Sequence, residues 1–159
     1  MAASGDQSLD LDGGLPGGGG AYQDVVTSPG SRYFLSFAFA GNPDWQNLGA
    51  NPLKPMEVFW GGEVIGLLIF DVTGHTFNDM GWTYYQYEIE ANSSITRVAF
   101  HSLIAFDSAT GPALDDVVLD IRPRSGIPIT SVNDSGTLAL SFCGVVASLI
   151  VWHRRQYKA

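Results

Sequence analysis

Apolar and polar residues alternate through most of the first 121 positions, and a period of two is that of a β-strand. Residues 32–40 show it best. Tyr33, Leu35, Phe37 and Phe39 fall on one face, and Phe34, Ser36, Ala38 and Ala40 on the other. The first set is bulky enough to fill the space between two packed sheets. Residues 82–91 repeat the pattern, with Tyr85, Tyr87, Ile89 and Ala91 on the core side. Trp82, Tyr84, Gln86, Glu88 and Glu90 take the other side. Shorter runs read as strands at 8–12, 21–27, 56–60, 63–72, 97–103 and 113–121. Turn residues separate them: a glycine-rich loop over 13–20, Ser28-Pro29-Gly30, Gly41-Asn42-Pro43-Asp44, a Gly61-Gly62 hairpin turn and Asn92-Ser93-Ser94. No segment before Thr137 has a helical period. The pattern predicts an all-β fold over residues 1–121, an antiparallel β-sandwich of jelly-roll type.

The pattern changes beyond 121. Residues 122–131, with Pro123 and Pro128, read as a linker. Residues 137–152 carry no charge. As a helix the apolar core of this run rises about 1.5 Å per residue, or about 22 Å in all. It is apolar on every side, so it is not a surface helix, although it is shorter than the roughly 20 residues of a stable span. Trp152 stands at its boundary, and Arg154, Arg155 and Lys158 follow. The expectation is a transmembrane helix with its basic end in the cytoplasm and the β domain outside. The competing reading is a buried terminal element of the domain, against which the proline-containing linker argues.

Charge sharpens this division. The formal net charge is -8, and residues 1–121 hold fifteen of the sixteen acids with Arg32, Lys54 and Arg97 as their only bases. Such a body repels a phosphate backbone, so no nucleic-acid partner is expected. Cys143 is the single cysteine, which excludes an internal disulfide.

Candidate chemistry gathers in two places. In the closing strand, Val117, Leu119 and Ile121 read as inward, and strict alternation turns Asp115 inward with them. A carboxylate facing a core must be paired or metal-bound. With no base nearby in sequence, a structural Ca2+ is the expectation, held by Asp115 with help from Asp10 or Asp12. The alternative is that Asp115 accepts backbone N–H bonds at a turn. The second place is a set of aromatic and amide side chains, Trp82, Tyr84, Gln86, Trp45 and Trp60. Exposed rings with polar neighbours suit sugar stacking; the alternative is that the rings cover the sandwich beneath loops. Glu88 and Glu90 lie about 7 Å apart on a strand, near a glycosidase spacing, but an exposed strand face supplies no cleft. His75 and His101 have no metal-ligand spacing, and no Ser-His-Asp or Cys-His arrangement is readable. No enzyme is expected.

Four segments occur in the order of a known domain: Ser8-Leu9-Asp10-Leu11-Asp12-Gly13, Tyr33-Phe34-Leu35-Ser36-Phe37 with Ala40-Gly41-Asn42-Pro43, Met80-Gly81-Trp82, and Gly111-Pro112-Ala113-Leu114-Asp115-Asp116-Val117. They resemble the choice-of-anchor C domain, which is similar to the galactose-binding-like jelly rolls that include many carbohydrate-binding modules. The resemblance implies a structural calcium on Asp115. It also implies a further Trp-containing strand ahead of Ser8. Since Met1 to Gly5 lack a signal sequence, the expectation is a domain truncated at its amino end.

The tail, Val132, Asn133, Asp134, Ser135 and Gly136 followed by the apolar run and Arg154-Arg155, resembles the Val-Pro-Asp-Ser-Gly variant of the PEP-CTERM sorting signals, with Asn133 in place of proline. That resemblance implies an exosortase as partner, cleavage near Asp134-Ser135, and release to the cell surface or an exopolysaccharide matrix. Together the expectation is a non-catalytic exported domain that binds extracellular polysaccharide. The alternative is a structural envelope protein that works by protein contacts.

Overall fold

The computed structural model describes residues 1–13, 18–44, 50–104 and 110–122. Trp45, the linker beyond Arg122 and the whole sorting signal (Val132, Asp134, Ser135, Gly136, Arg154 and Arg155 included) lie outside the described residues, as does the expected helix over 137–152.

Among the described residues, eight strands form two four-stranded antiparallel sheets. They are β1 (Leu9–Asp10), β2 (Gly20–Val26), β3 (Arg32–Gly41), β4 (Leu53–Trp60), β5 (Glu63–Asp71), β6 (Thr83–Glu90), β7 (Ile95–Ser102) and β8 (Pro112–Arg122). Sheet I has the order β1-β8-β3-β6 and sheet II the order β2-β7-β4-β5. Each hairpin-length connection is made by turn chemistry: Gly61 and Gly62 both adopt positive φ between β4 and β5, as a two-residue hairpin loop requires.

The core lies between the sheets. Tyr33, Leu35, Phe37 and Phe39 of β3 are buried there, facing Met56, Val58, Trp60, Val98 and Phe100 of sheet II. Phe37 packs edge-on against Phe100 at 4.9 Å between centroids and stacks on Tyr85 and Tyr87 within its own sheet at 5.9 and 6.1 Å. The alternation in β3 and β6 therefore has its expected meaning.

Three sequence expectations are corrected. β4 begins at Leu53 rather than Met56, because Pro55 sits within the strand opposite Ile69. Trp60 is a core residue and not a sugar platform: it is buried, tilted against Tyr33, and donates its indole N–H to the Glu90 carbonyl at 2.9 Å. Its parity with Met56 and Val58 already pointed inward. The third concerns β8. Its register against β3 jumps between Ser36↔Val118 and Ala38↔Asp115, so two residues, Asp116 and Val117, oppose Phe37. Asp116 takes φ 48, the only positive φ outside glycine among the described residues. This β-bulge reverses the parity of everything before it. Leu114 is buried and Asp115 lies with Ala38 on the outer face, whereas Val117 and Leu119, beyond the kink, pack against the core as expected; Ile121, near the strand's end, is exposed. Asp115 does not face the core.

Candidate functional site

The outer face of sheet I is built from β6, β3 and β8 in register. Tyr84, Ala38 and Asp115 form one row; Gln86, Ser36 and Val118 the next; Glu88, Phe34 and Asp120 the third. Ala38 and Ser36 on the central strand leave a shallow trough over the first two rows, ended by Phe34 in the third, between walls about 10 Å apart, two inter-strand spacings. Tyr84 rises from β6 and is 61% exposed. Across Ala38 in the same row stands the bulge on β8. Desolvation, then the charge of Asp116, hydrogen bonding to Asp116 and the charge of Asp115 push the Tyr84 hydroxyl above the ordinary 10.0. Gln86 is exposed beside it. Glu88 is tied to Arg32 at 2.8 Å, and Glu90 is exposed at the end of the strand.

The upper end of the trough is closed by the amino-terminal segment. Ala3 and Ser4 donate their backbone N–H groups to Asp115 Oδ2 at 2.7 and 3.1 Å. Trp82 is half-buried and donates its indole N–H to the Met1 carbonyl at 3.0 Å, and the amino group of Met1 reaches the Phe77 carbonyl. Beside this segment lies an open pocket of about 270 Å³, lined by Asp6, Asp10, Asn42, Phe77 and Met80 among others. Of the aromatic set read from sequence, Tyr84 and Gln86 thus share one surface, Trp82 borders it, and Trp60 does not belong to it. Sequence reasoning missed Asp116, whose position depends on the bulge. It also missed Phe77 and the pocket, which depend on loops that no short-range period describes.

Asp10, Asp12 and Asp115 each accept from backbone N–H groups. Asp115 Oδ1 accepts from the Asp116 N–H at 2.7 Å, and its Oδ2 is held by Ala3 and Ser4. Asp10 accepts from Asn42 Nδ2 at 2.7 Å and from the N–H groups of Asp12 and Gly111. Among the described residues no group of three acidic, histidine or cysteine side chains is placed to hold a metal. The carboxylates instead staple backbone: Asp115 fastens the amino-terminal segment, and Asp10 joins β1 to the turns before β8 and after β3. Asp115→Ala removes an acceptor from three N–H groups, and about 1–2 kcal/mol of stability should go with it. Thermal unfolding should show the same loss in calcium and in chelator. A shift that requires calcium and vanishes in the variant would contradict this account.

The positive charge that the acids lack in sequence arrives from β4. Lys54 points into the sandwich, fully buried, and donates to Thr110 Oγ1 at 3.1 Å. Burial pulls its pKa below the ordinary 10.5, against the opposing pull of Asp12 and Asp10. Asp12, only 6% exposed, has one oxygen without a hydrogen-bond partner. Burial pushes its carboxyl up, while hydrogen bonding to Ser102 and Gly19 and the charge of Lys54 pull it down.

Residues 1–120 match the family model described as "Protein of unknown function (DUF642)". The chain belongs to the DUF642 family. None of the curated proteins matches it. Its fold is similar to a family 35 carbohydrate-binding module from Clostridium thermocellum, at 17% identity and a TM-score of 0.50, covering 75% of this chain and 82% of that one. It is similar also to the sugar-binding C-terminal domain of EclA, at 12% identity and a TM-score of 0.54, covering 76% and 81%. A family 35 module from an environmental isolate aligns at 14% identity with a TM-score of 0.52, covering 77% and 82%. The DUF642 chain shares with them a two-sheet antiparallel β-sandwich.

Proposed function

We propose that this DUF642 chain is a non-catalytic carbohydrate-binding domain whose sugar site is the outer face of sheet I, with Tyr84 as the stacking platform. The observation that carries this reading is the exposed Tyr84 ring, set in one row with the small residue Ala38 and with Asp115 at the bulge, and beside Gln86 on the same face. The fold shared with sugar-binding domains supports the reading. A glycan array with the intact chain should return at least one oligosaccharide ligand. Tyr84→Ala should weaken that binding about tenfold or more, the effect of losing one buried ring contact, with the melting temperature preserved because the ring is exposed. Retention of full affinity in the variant would remove Tyr84 from the site.

The resemblances in the sequence support two finer parts of the proposal. The domain is of the choice-of-anchor C kind, and residues 132–159 direct it through the membrane to an exosortase, which delivers it to the cell surface or extracellular matrix. A second reading, a structural envelope protein, is favoured by one observation. β5 is an edge strand that exposes Val64, Leu67 and Ile69, and such edges pair with other chains. Concentration-dependent self-association without sugar would favour it.

A further inference from the structure

The chemistry around the Tyr84 platform goes further than carbohydrate in general, and this step rests on that reading. The bulge in β8 sets Asp115 and Asp116 side by side at the row of Tyr84, Asp116 in a backbone conformation that most L residues avoid. Asp120 and Glu88 continue the acidic lining to the end of the trough, and Asp6 and Asp10 extend it into the adjoining pocket. Arg32, a base whose outward position on β3 places it at this face, is already engaged by Glu88 at 2.8 Å. A bound sugar ring over Tyr84 therefore meets carboxylates on the β8 side, and an uronate there would be repelled. A substituent carrying a positive charge would gain charge-assisted hydrogen bonds from Asp116 and attraction to the face of the tyrosine ring.

We propose that the site selects glycans bearing free amino groups, polymers of de-N-acetylated hexosamine, over N-acetylated and uronic-acid glycans. The ammonium donates to Asp116, the sugar face stacks on Tyr84, and Gln86 hydrogen-bonds ring hydroxyls. A neighbouring residue of the polymer lies beside Val118, on the side of Asp120. No bond is made or broken.

Calorimetry of the intact chain at pH 6 and low ionic strength, with glucosamine hexamer, its N-acetylated counterpart and galacturonate hexamer with and without calcium, tests this directly. The glucosamine hexamer should bind at least tenfold more tightly than the N-acetylated one, with the preference shrinking as salt is added. Galacturonate should not bind. Asp116→Asn is the informative variant, since asparagine tolerates positive φ and keeps an acceptor for the Tyr84 hydroxyl. It should bring the two hexosamine affinities within about threefold of each other without changing the melting temperature. Equal or tighter binding of the N-acetylated hexamer, or a preference for galacturonate, overturns the selectivity and leaves the carbohydrate reading standing. An unchanged preference in Asp116→Asn overturns the role of the bulge. No binding of any of the three removes this proposal, and a blank glycan array beside it removes the reading beneath it.

Discussion

Lys54→Met is expected to destabilise the domain by about 1–2 kcal/mol, because the loss of the buried hydrogen bond to Thr110 and of the positive charge near Asp12 is partly offset by relief of the desolvation of the Lys54 ammonium. The loss stays small because methionine replaces most of the buried stem. What remains costly is Asp12, buried with one oxygen unpartnered and stripped of its nearby positive charge. Asp12→Asn removes that charge and should recover more than half of the loss when combined with Lys54→Met. The non-additivity in a double-mutant cycle measures the coupling; denaturant unfolding of the four proteins supplies it, and strictly additive losses would mean that the two side chains do not sense one another.

The same pair fixes a pH dependence. The Lys54 pKa is lower in the folded state than the ordinary 10.5. Its contribution to stability is therefore fully present above 10.5 and is lost as pH falls through the folded value. The Asp12 pKa is raised above 3.8, so its contribution is present below 3.8 and is lost as pH rises through the folded value. Both groups therefore work against stability at intermediate pH. The wild type should gain stability as the solution is made alkaline toward 10.5, and Lys54→Met should lack that rise.

How far the fold could be read depended on whether a feature was local. The inward set of β3 and the aromatic alternation of β6 are properties of single strands, and both read correctly because period two is fixed by backbone geometry. The Gly61-Gly62 turn read correctly for the same reason, since its positive φ values belong to two adjacent residues. Asp115 read wrongly because a bulge is a relation between two strands. Nothing within 113–121 announces that two residues oppose Phe37. Lys54 was passed over because its significance lies in Asp10 and Asp12, more than forty positions away. The site shows the same division. Tyr84 and Gln86 were legible as outward residues of an alternating strand, whereas Asp116 became part of the site only through register.

Phe37→Ala is expected to cost about 3–5 kcal/mol, the range for emptying a buried aromatic position. Phe37 has no exposed surface and touches aromatic rings from both sheets. Removal would open a cavity at the middle of the sandwich, which Phe100, Tyr85 and Tyr87 are too rigidly placed to fill. Phe37→Leu should cost less, about 1–1.5 kcal/mol, because most of the volume is kept. Val26→Ala, at a largely exposed position on an edge strand, should stay within about 0.5 kcal/mol. The site should feel the change as well. Phe37 is the residue opposite the bulge, so the packing that holds Asp116 beside Tyr84 starts at its ring. Glycan affinity of Phe37→Ala, measured well below its unfolding temperature, should therefore fall by more than that of Phe37→Leu. A loss of stability with fully retained affinity would mean that the bulge is held by the β3–β8 hydrogen bonds alone.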